Sequence, residues 1–254
     1  MKIIESASNQ WMKQIKKLHK KKFRDETQTY LIEGEHLVEE ALDYHADIAW
    51  IITTEEGLIK YSQLISRIED EKCVIIPHKL LKDLSELPTP QEIIAVVKKQ
   101  QEFDILDTQQ HYLLLDNIQD PGNLGTMIRT ADAAGFSTVV LGIGTTDLYA
   151  SKVQRAMQGS QFHINILSHI DLVRWTKEAR EKGLLVVASA LDSQAMSFKE
   201  LNRQTPTAII MGNEGQGVSP QLLAVVDKKI YIPMKGLSES LNVAVAAGIL
   251  MFHF

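Results

Sequence analysis

The sequence predicts an α/β protein in two parts, the second built on a mostly parallel sheet with helices on both faces. Three observations carry this reading. Short apolar runs alternate with amphipathic stretches along the chain, the pattern of strand–helix repetition. The run Tyr112-Leu113-Leu114-Leu115 is continuously apolar, as a strand buried on both faces of a parallel sheet must be. Between the two parts, residues 99–110 are polar and aperiodic. The expected organisation is a first domain over 1–100, a linker over 101–110 and a second domain over 111–254.

In the first part a basic helix at about 8–22 leads to a strand at 30–32 and a helix at 35–42. A strand at 48–53, a helix at 57–66, a strand at 73–77, a short helix at 79–84 and a strand at 93–98 complete it. The second part opens with the strand at 112–116, and further strands follow at 138–141, 164–167, 184–190, 208–212 and 229–233. Helical segments fall at 124–134, 151–157, 172–182 and 220–226, and a last helix runs from about 240 to 252. In sheets of this kind ligands bind beyond the carboxyl ends of the strands, so chemistry is sought just after each one.

Composition narrows the class. With 44% hydrophobic and 23% charged residues, the chain has the balance of an ordinary globular protein. Cys73 is the only cysteine, so no disulfide forms within the chain, which fits a reducing compartment. The start Met1-Lys2-Ile3-Ile4-Glu5 lacks the apolar core of a signal peptide. The apolar run at 243–252 is broken by Gly248 and falls short of the roughly 20 residues a membrane span needs. A cytoplasmic protein without membrane partners is expected. Eight histidines are scattered without ligand spacing, so no metal site is expected.

The net charge of −5 argues against a protein that simply coats nucleic acid. Yet seven basic residues and no acidic one lie between Lys13 and Arg24. On a helix, Lys13, Lys17, Lys20, Lys21 and Arg24 share one side, while Trp11, Ile15 and Leu18 share another. Such a stripe is either a solvated face above an apolar seam or a surface for phosphates, and the residues alone leave both open. Arg155, within the helical segment at 151–157, is a further candidate RNA contact; an ordinary amphipathic helix explains it equally well.

Three strand-end tracts carry candidate chemistry. The first is Asp116-Asn117-Ile118-Gln119-Asp120-Pro121-Gly122-Asn123-Leu124-Gly125, followed by Arg129. Asn123 suits a helix cap, and Arg129 lies near an apolar helix face, where an arginine usually addresses a partner or a phosphate. The second, Met211-Gly212-Asn213-Glu214-Gly215-Gln216-Gly217, spaces three glycines so that positive φ and close backbone approach are available. It is neither the G-x-G-x-x-G fingerprint nor a P-loop. Ser219 reads as the cap of the following helix, with Pro220 at its first position. The third is Ile232-Pro233-Met234, continuing to Glu239-Ser240-Leu241-Asn242, before a helix so rich in alanine and glycine that something packs closely against it.

Together, in this order, these strings resemble the SpoU (TrmH-like) branch of the SPOUT RNA methyltransferases over residues 110–254. Asn9, Lys13 and the run Tyr30-Leu31-Ile32-Glu33-Gly34 look like the N-terminal substrate-binding domain of some members, which is similar to the L30e fold. The resemblance implies a C-terminal domain with a deep trefoil knot, S-adenosylmethionine as methyl donor, and a ribose 2′-hydroxyl of structured RNA, ribosomal RNA foremost, as acceptor. It implies a homodimer packed partly through the C-terminal helix, with Phe252, His253 and Phe254 at that interface or capping the core. Donor contacts would come from Ser189, Ala190, Leu191, Met211, Gly212, Glu214, Gly217, Ile232, Met234, Ser240, Leu241 and Asn242. Arg129 would act on the hydroxyl, as proton acceptor or as orienting group, with Asn123 positioning it or the ribose. A tRNA 2′-O-methyltransferase and a non-catalytic RNA-binding protein on the same fold are the alternatives.

Overall fold

The computed structural model describes every residue except 101 and 103–105, and divides into two units. Met1–Gln101 and Tyr149–Phe162 make the first; Glu102–Leu148 and His163–Phe254 make the second. The linker expected over 101–110 falls partly outside the described residues.

The first unit begins with β1 (Lys2–Ile3), α1 (Gln10–Lys17), α2 (Lys21–Thr27), β2 (Thr29–Glu33) and α3 (Glu35–Asp43). It continues through β3 (Ile48–Thr53), α4 (Glu55–Lys60), α5 (Ser62–Ile65), β4 (Cys73–Ile75), α6 (His78–Leu84) and β5 (Ile93–Lys98). Its sheet runs β1-β4-β3-β5-β2, parallel from β1 to β3 and antiparallel around β5. The two-residue period of a strand sends alternate side chains to opposite faces, which explains why β5 is apolar from Ile93 to Val97. Ile93, Ala95 and Val97 join a core with α3, whereas Ile94 and Val96 join a second core with α1 and α6.

The single basic helix expected over 8–22 is two helices. Asn9 caps α1 by accepting from the Trp11 amide, and Lys20 turns extended (φ −100°) before α2 starts. The break rotates Arg24 out of the stripe. Arg24 is buried, and its Nη1 donates to the Leu18 carbonyl at 2.6 Å. The assignment of Arg24 to the RNA-contacting face is therefore corrected: it closes the α1–α2 corner. Lys13, Lys17, Lys20 and Lys21 remain exposed, with Lys21 paired to Asp25 at 2.7 Å.

The rest of the chain forms β6 (Tyr112–Leu115), α7 (Pro121–Ala133), β7 (Thr138–Gly142), α8 (Ser151–Met157), β8 (Asn165–Ile170), α9 (Leu172–Glu181) and β9 (Leu185–Ser189). β10 (Met196–Ser197), β11 (Thr207–Met211), α10 (Pro220–Leu223), β12 (Lys228–Tyr231) and α11 (Val243–Met251) follow. Of these, α8 clusters with the first unit, although the sequence places residues 149–162 within the second domain. Among the described residues the second unit's sheet has seven strands, all parallel, in the order β10-β12-β9-β11-β6-β7-β8. Tyr112, Leu114, Ala208 and Ile210 face α9 and α10 in one core. α11 packs on α7 and β11.

This order has a topological consequence. β12 pairs with β9 on one side and with β10 on the other, and β10 belongs to the connection that carries the chain from β9 to β11. The C-terminal segment thus runs inside that connection before α11 returns past β9 and β11 to α7. This threading is the arrangement a deep knot requires, and such topologies are rare. Among the described residues, no helix is long and apolar enough to cross a membrane.

Candidate active site

The three tracts follow strands of one stretch of the sheet, β6 and β11 as neighbours and β12 beyond the intervening β9. Their polar side chains bond to one another. In the first tract, Asp120 rather than Asn123 caps α7, accepting from the Asn123 amide at 2.8 Å, and Pro121 takes the first helical turn, where no amide donor is needed. The expectation of Asn123 as cap is corrected. With Asp120 as cap, the Asn123 side chain is free to look outward: its Oδ1 accepts from Asn242 Nδ2 at 3.0 Å, and its Nδ2 donates to Glu214 Oε1 at 3.1 Å.

Glu214 gathers the first tract. Its Oε1 also accepts from the Asp120 amide at 3.0 Å, and its Oε2 from the Gln119 amide at 3.2 Å. Partial burial pushes this carboxyl's pKa up, but the bonds from Asn123 and from the Asp120 and Gln119 amides outweigh burial and leave it below the usual range. An ionised Glu214 is a fixed acceptor that holds the loop after β6. Asn213 adds a second tie, donating from Nδ2 to the Asn117 carbonyl at 2.9 Å while its Oδ1 receives the Gly215 and Gln216 amides. Asp116 Oδ2 accepts from the Ser219 amide at 2.8 Å, so Ser219 is anchored through its backbone and makes no side-chain cap.

The glycines of the second tract serve the loop itself. A Cβ on Gly212 would stand 2.1 Å from the Gly217 carbonyl carbon and the Val218 nitrogen, so the loop doubles back on its own start. Gly217 takes φ +71°, which L side chains rarely adopt, to make that return. In the third tract Asn242 caps α11, accepting from the Ala244 and Val245 amides, while its Nδ2 reaches Asn123. α11 packs on α7, yet a Cβ on Gly248 would meet Thr130 at an ordinary 3.5 Å, so space alone does not demand that glycine.

A cavity of about 490 Å³ opens between the ends of β9, β11 and β12. It is lined by Ser189, Ala190, Leu191, Met211, Gly212, Glu214, Gly217, Ile232, Met234, Ser240 and Leu241, every residue expected at a donor site apart from Asn242, which caps α11 and bonds Asn123 instead. Its size lies in the range of roughly 300–1,000 Å³ usual for small-ligand sites. Met211, Ile232, Met234 and Leu241 offer an apolar slot, and Ser189, Ser240 and loop backbone offer polar contacts; this mix suits a nucleoside carrying a charged tail. Sequence reasoning missed Asp192, Glu239 and Val243 on the same wall. Glu239 stands within the third tract, where its residue type alone does not set it apart; Asp192 sits three residues beyond β9, where only the cavity reveals it.

Arg129 is not on this wall. Six residues beyond Asn123, it projects roughly 120° around α7 and about 9 Å further along its axis. It is exposed, and among the described residues it makes no hydrogen bond or ion pair. At the C-terminus Phe252 is exposed, whereas His253 is buried with Nε2 at 3.1 Å from the Leu201 carbonyl, and the Phe254 ring packs tilted against His111 and edge to face against His253. Of these three Phe252 is the most exposed and Phe254 is half-buried. In the first unit Arg155 is half-buried and lines a small cavity with Glu33 and Glu86. Burial raises the Glu33 carboxyl above its usual range, against which Arg155 acts as a stabilising charge. Among the described residues no cluster of His, Cys, Asp or Glu has the makings of a metal site.

A parallel sheet with its last strand threaded inside the β9–β11 connection, and a cavity over those strand ends, defines the knotted SPOUT class of methyltransferase folds. Residues 110–252 match the SpoU rRNA Methylase family, and residues 9–95 match the MRM3-like substrate binding domain. The chain belongs to the SpoU rRNA methylase family. It is 46% identical to the 23S rRNA (guanosine(2553)-2'-O)-methyltransferase RlmP of Bacillus subtilis, over 100% of this chain and 99% of that one. The AdoMet-bound rRNA methyltransferase from Sinorhizobium meliloti superposes with a TM-score of 0.88 at 31% identity, covering 99% of this chain and 96% of that one. A TrmH-family protein from Porphyromonas gingivalis gives a TM-score of 0.86 at 32% identity, covering 97% of each chain.

Proposed function

We propose that the protein transfers the methyl group of S-adenosylmethionine to a ribose 2′-hydroxyl of ribosomal RNA. We further propose that the acceptor is the large-subunit guanosine that the Bacillus subtilis relative modifies, since that similarity spans both chains end to end. The observation that carries the reading is that the second and third tracts wall one cavity and the first is locked to both by the Asn242–Asn123–Glu214 bonds.

When bound, S-adenosylmethionine supplies an electrophilic methyl group on a sulfonium. The chain's residues hold and orient what meets it. Met211, Gly212, Ile232, Met234 and Leu241 hold the donor, with Ser189, Ala190, Leu191, Gly217 and Ser240 completing the wall. Glu214 and Asn242 fix Asn123, which presents the acceptor ribose. In the reaction the ribose oxygen gains the methyl carbon, the sulfur–carbon bond breaks, and the hydroxyl proton leaves. A guanidinium is a donor only, so Arg129 orients the hydroxyl and an adjacent RNA phosphate while the proton passes to phosphate or solvent.

Arg129 lies off the wall of its own chain, which supports a homodimer in which RNA is gripped across two subunits. Val245, Ile249 and Phe252 form an exposed apolar stripe at i, i+4 and i+7 on α11, suited to an isologous contact. Lys13, Lys17, Lys20 and Lys21 supply phosphate contacts, and the protein works in the cytoplasm, where ribosomes are built. The test maps 2′-O-methyl groups across all cellular RNA with and without the gene. Loss of one large-subunit guanosine is expected; loss at a tRNA position transfers the assignment to tRNA, and loss of none leaves an RNA-binding protein without catalysis.

A further inference from the structure

The cavity over β9, β11 and β12 is lined by three carboxylates, Asp192, Glu214 and Glu239, and by no lysine, arginine or histidine. Two of the three are already engaged. Asp192 Oδ2 accepts from Lys229 Nζ at 2.5 Å, and its Oδ1 accepts from the Gln194 amide at 2.9 Å. Glu214 is bound by two backbone amides and by Asn123. Glu239 makes neither a hydrogen bond nor an ion pair among the described residues, although it borders the same space. Its position is constrained from both sides: Ser238 Oγ donates to the Ser240 carbonyl at 2.9 Å, and Asn242 is tied to Asn123 and to the first turn of α11.

An uncompensated negative charge on the wall of a ligand cavity matters most to a ligand whose own charge changes during the reaction. If the donor occupies this cavity, as proposed above, it enters as a sulfonium and remains as a thioether with one positive charge fewer. Apart from the methyl group that leaves with this charge the two molecules are the same, so a charge on the wall separates them. We infer that Glu239 recognises the sulfonium charge, making the cavity bind S-adenosylmethionine more tightly than S-adenosylhomocysteine and favouring release of the product. Glu239 is thus a specificity-determining residue for the donor. Because it is exposed, water screens its field, and a factor of roughly three to ten in relative affinity is the scale to expect.

The test is calorimetric titration of the full-length protein with S-adenosylmethionine and, separately, with S-adenosylhomocysteine, for wild type and Glu239→Gln. The wild type is expected to prefer the donor, and the variant to lose about three- to tenfold of that preference, almost all from weaker donor binding. Equal loss for both ligands would mean that Glu239 serves the shared amino-acid tail or the loop's shape, and would overturn the inference, as would an unchanged ratio. Should the variant fold poorly, the wild type alone decides: raising salt must shrink the donor-to-product ratio, because screening acts on the charge difference. A salt-independent ratio overturns the proposal. If neither ligand binds the wild type, the donor-site reading itself fails, a result distinct from any of these.

Discussion

The strand-end site and the N-terminal lysine stripe are both polar surfaces, but they are built in opposite ways. Around the cavity a chain of polar side chains is locked by defined partners, with Glu239 the exception among the wall carboxylates: Asn123 between Asn242 and Glu214, Asn213 on Asn117, Asp116 on the Ser219 amide. On α1, Lys13 and Lys17 stand in solvent, and among the described residues no partner fixes their heads beyond the Phe23 ring, 5.1 Å from the Lys17 ammonium. A site that must place a hydroxyl against a methyl group needs fixed geometry, since misplacement by about 1 Å costs as much as a hundredfold in rate. A surface that gathers phosphates needs only charge at the right distance, because counterion release is insensitive to detail. The contrast teaches that rigidity and exposure sort the two tasks within one chain.

Perturbing each region should therefore move different measurements. The largest effect is expected from Arg129→Ala: kcat for RNA methylation should fall by at least about a hundredfold, the scale of losing one transition-state donor. S-adenosylmethionine affinity by titration should stay within about twofold, because Arg129 is off the cavity wall; unchanged turnover would remove Arg129 from the mechanism. Asn123→Ala comes next. It takes away the partner of both Asn242 and Glu214 and should lower kcat by roughly tenfold to a hundredfold, with little change in KM for RNA. A pure KM effect would place Asn123 in RNA binding rather than in alignment.

The lysine stripe should behave differently. Replacing Lys13, Lys17 and Lys20 together by alanine should raise KM for RNA and leave kcat alone. The salt dependence of binding should flatten by about 0.7–0.9 for each phosphate that is no longer neutralised. An unaltered salt slope would return these lysines to the role of a solvated face. Arg24→Ala sharpens the boundary of the stripe. Because Arg24 is buried and bonds the Leu18 carbonyl, it should cost about 1–3 kcal/mol of stability in denaturant unfolding and leave the salt slope unchanged.

The smallest expected effect is a pH dependence at the opposite end of the sheet from the cavity. Burial lowers the pKa of His111 below its ordinary 6.5, and its Nδ1 accepts from the Thr207 amide at 3.2 Å, so the folded state holds it neutral. A depressed folded pKa means that the unfolded chain binds the proton first. The contribution is thus complete above about pH 6.5 and is lost as pH falls through the lower folded value. Tm measured between pH 7.5 and 5.5 should fall further for wild type than for His111→Asn; parallel curves would show that His111 does not titrate with folding.

Much of this was legible in the chain. The apolar run of β6 announced a doubly covered parallel strand, and the order of the three tracts pointed to one site, since ligands collect where such strands end. What misled did so for local reasons. Asn123 and Asp120 are both good caps, and only the backbone (φ −78°, ψ 122° at Asp120) decides which one starts the helix. Arg24 falls on the stripe when a continuous helix is drawn, and the break at Lys20 is a tertiary event, since Lys20 is no helix breaker by type. Segment 149–162 lies between two strands of the second unit in sequence, yet its side chains, Tyr149 against Tyr30 among them, pack in the first.

By itself, then, the sequence determined which residues are apolar at what period, and hence the alternation of strands and helices and the positions of the strand ends. Those are local properties, set by side-chain burial along a short stretch of backbone. Only the tertiary structure decided that β12 enters between β9 and β10, which places the third tract beside the second around a single cavity. It also decided that Asn123 looks outward, that Glu214 is spent on backbone amides while Glu239 is not, and that Arg129 faces away from its own cavity. These depend on bonds between residues as far as 119 positions apart, such as Asn123 and Asn242. The energy of such bonds is realised only once the chain has closed around them, so no short stretch of sequence carries their signature.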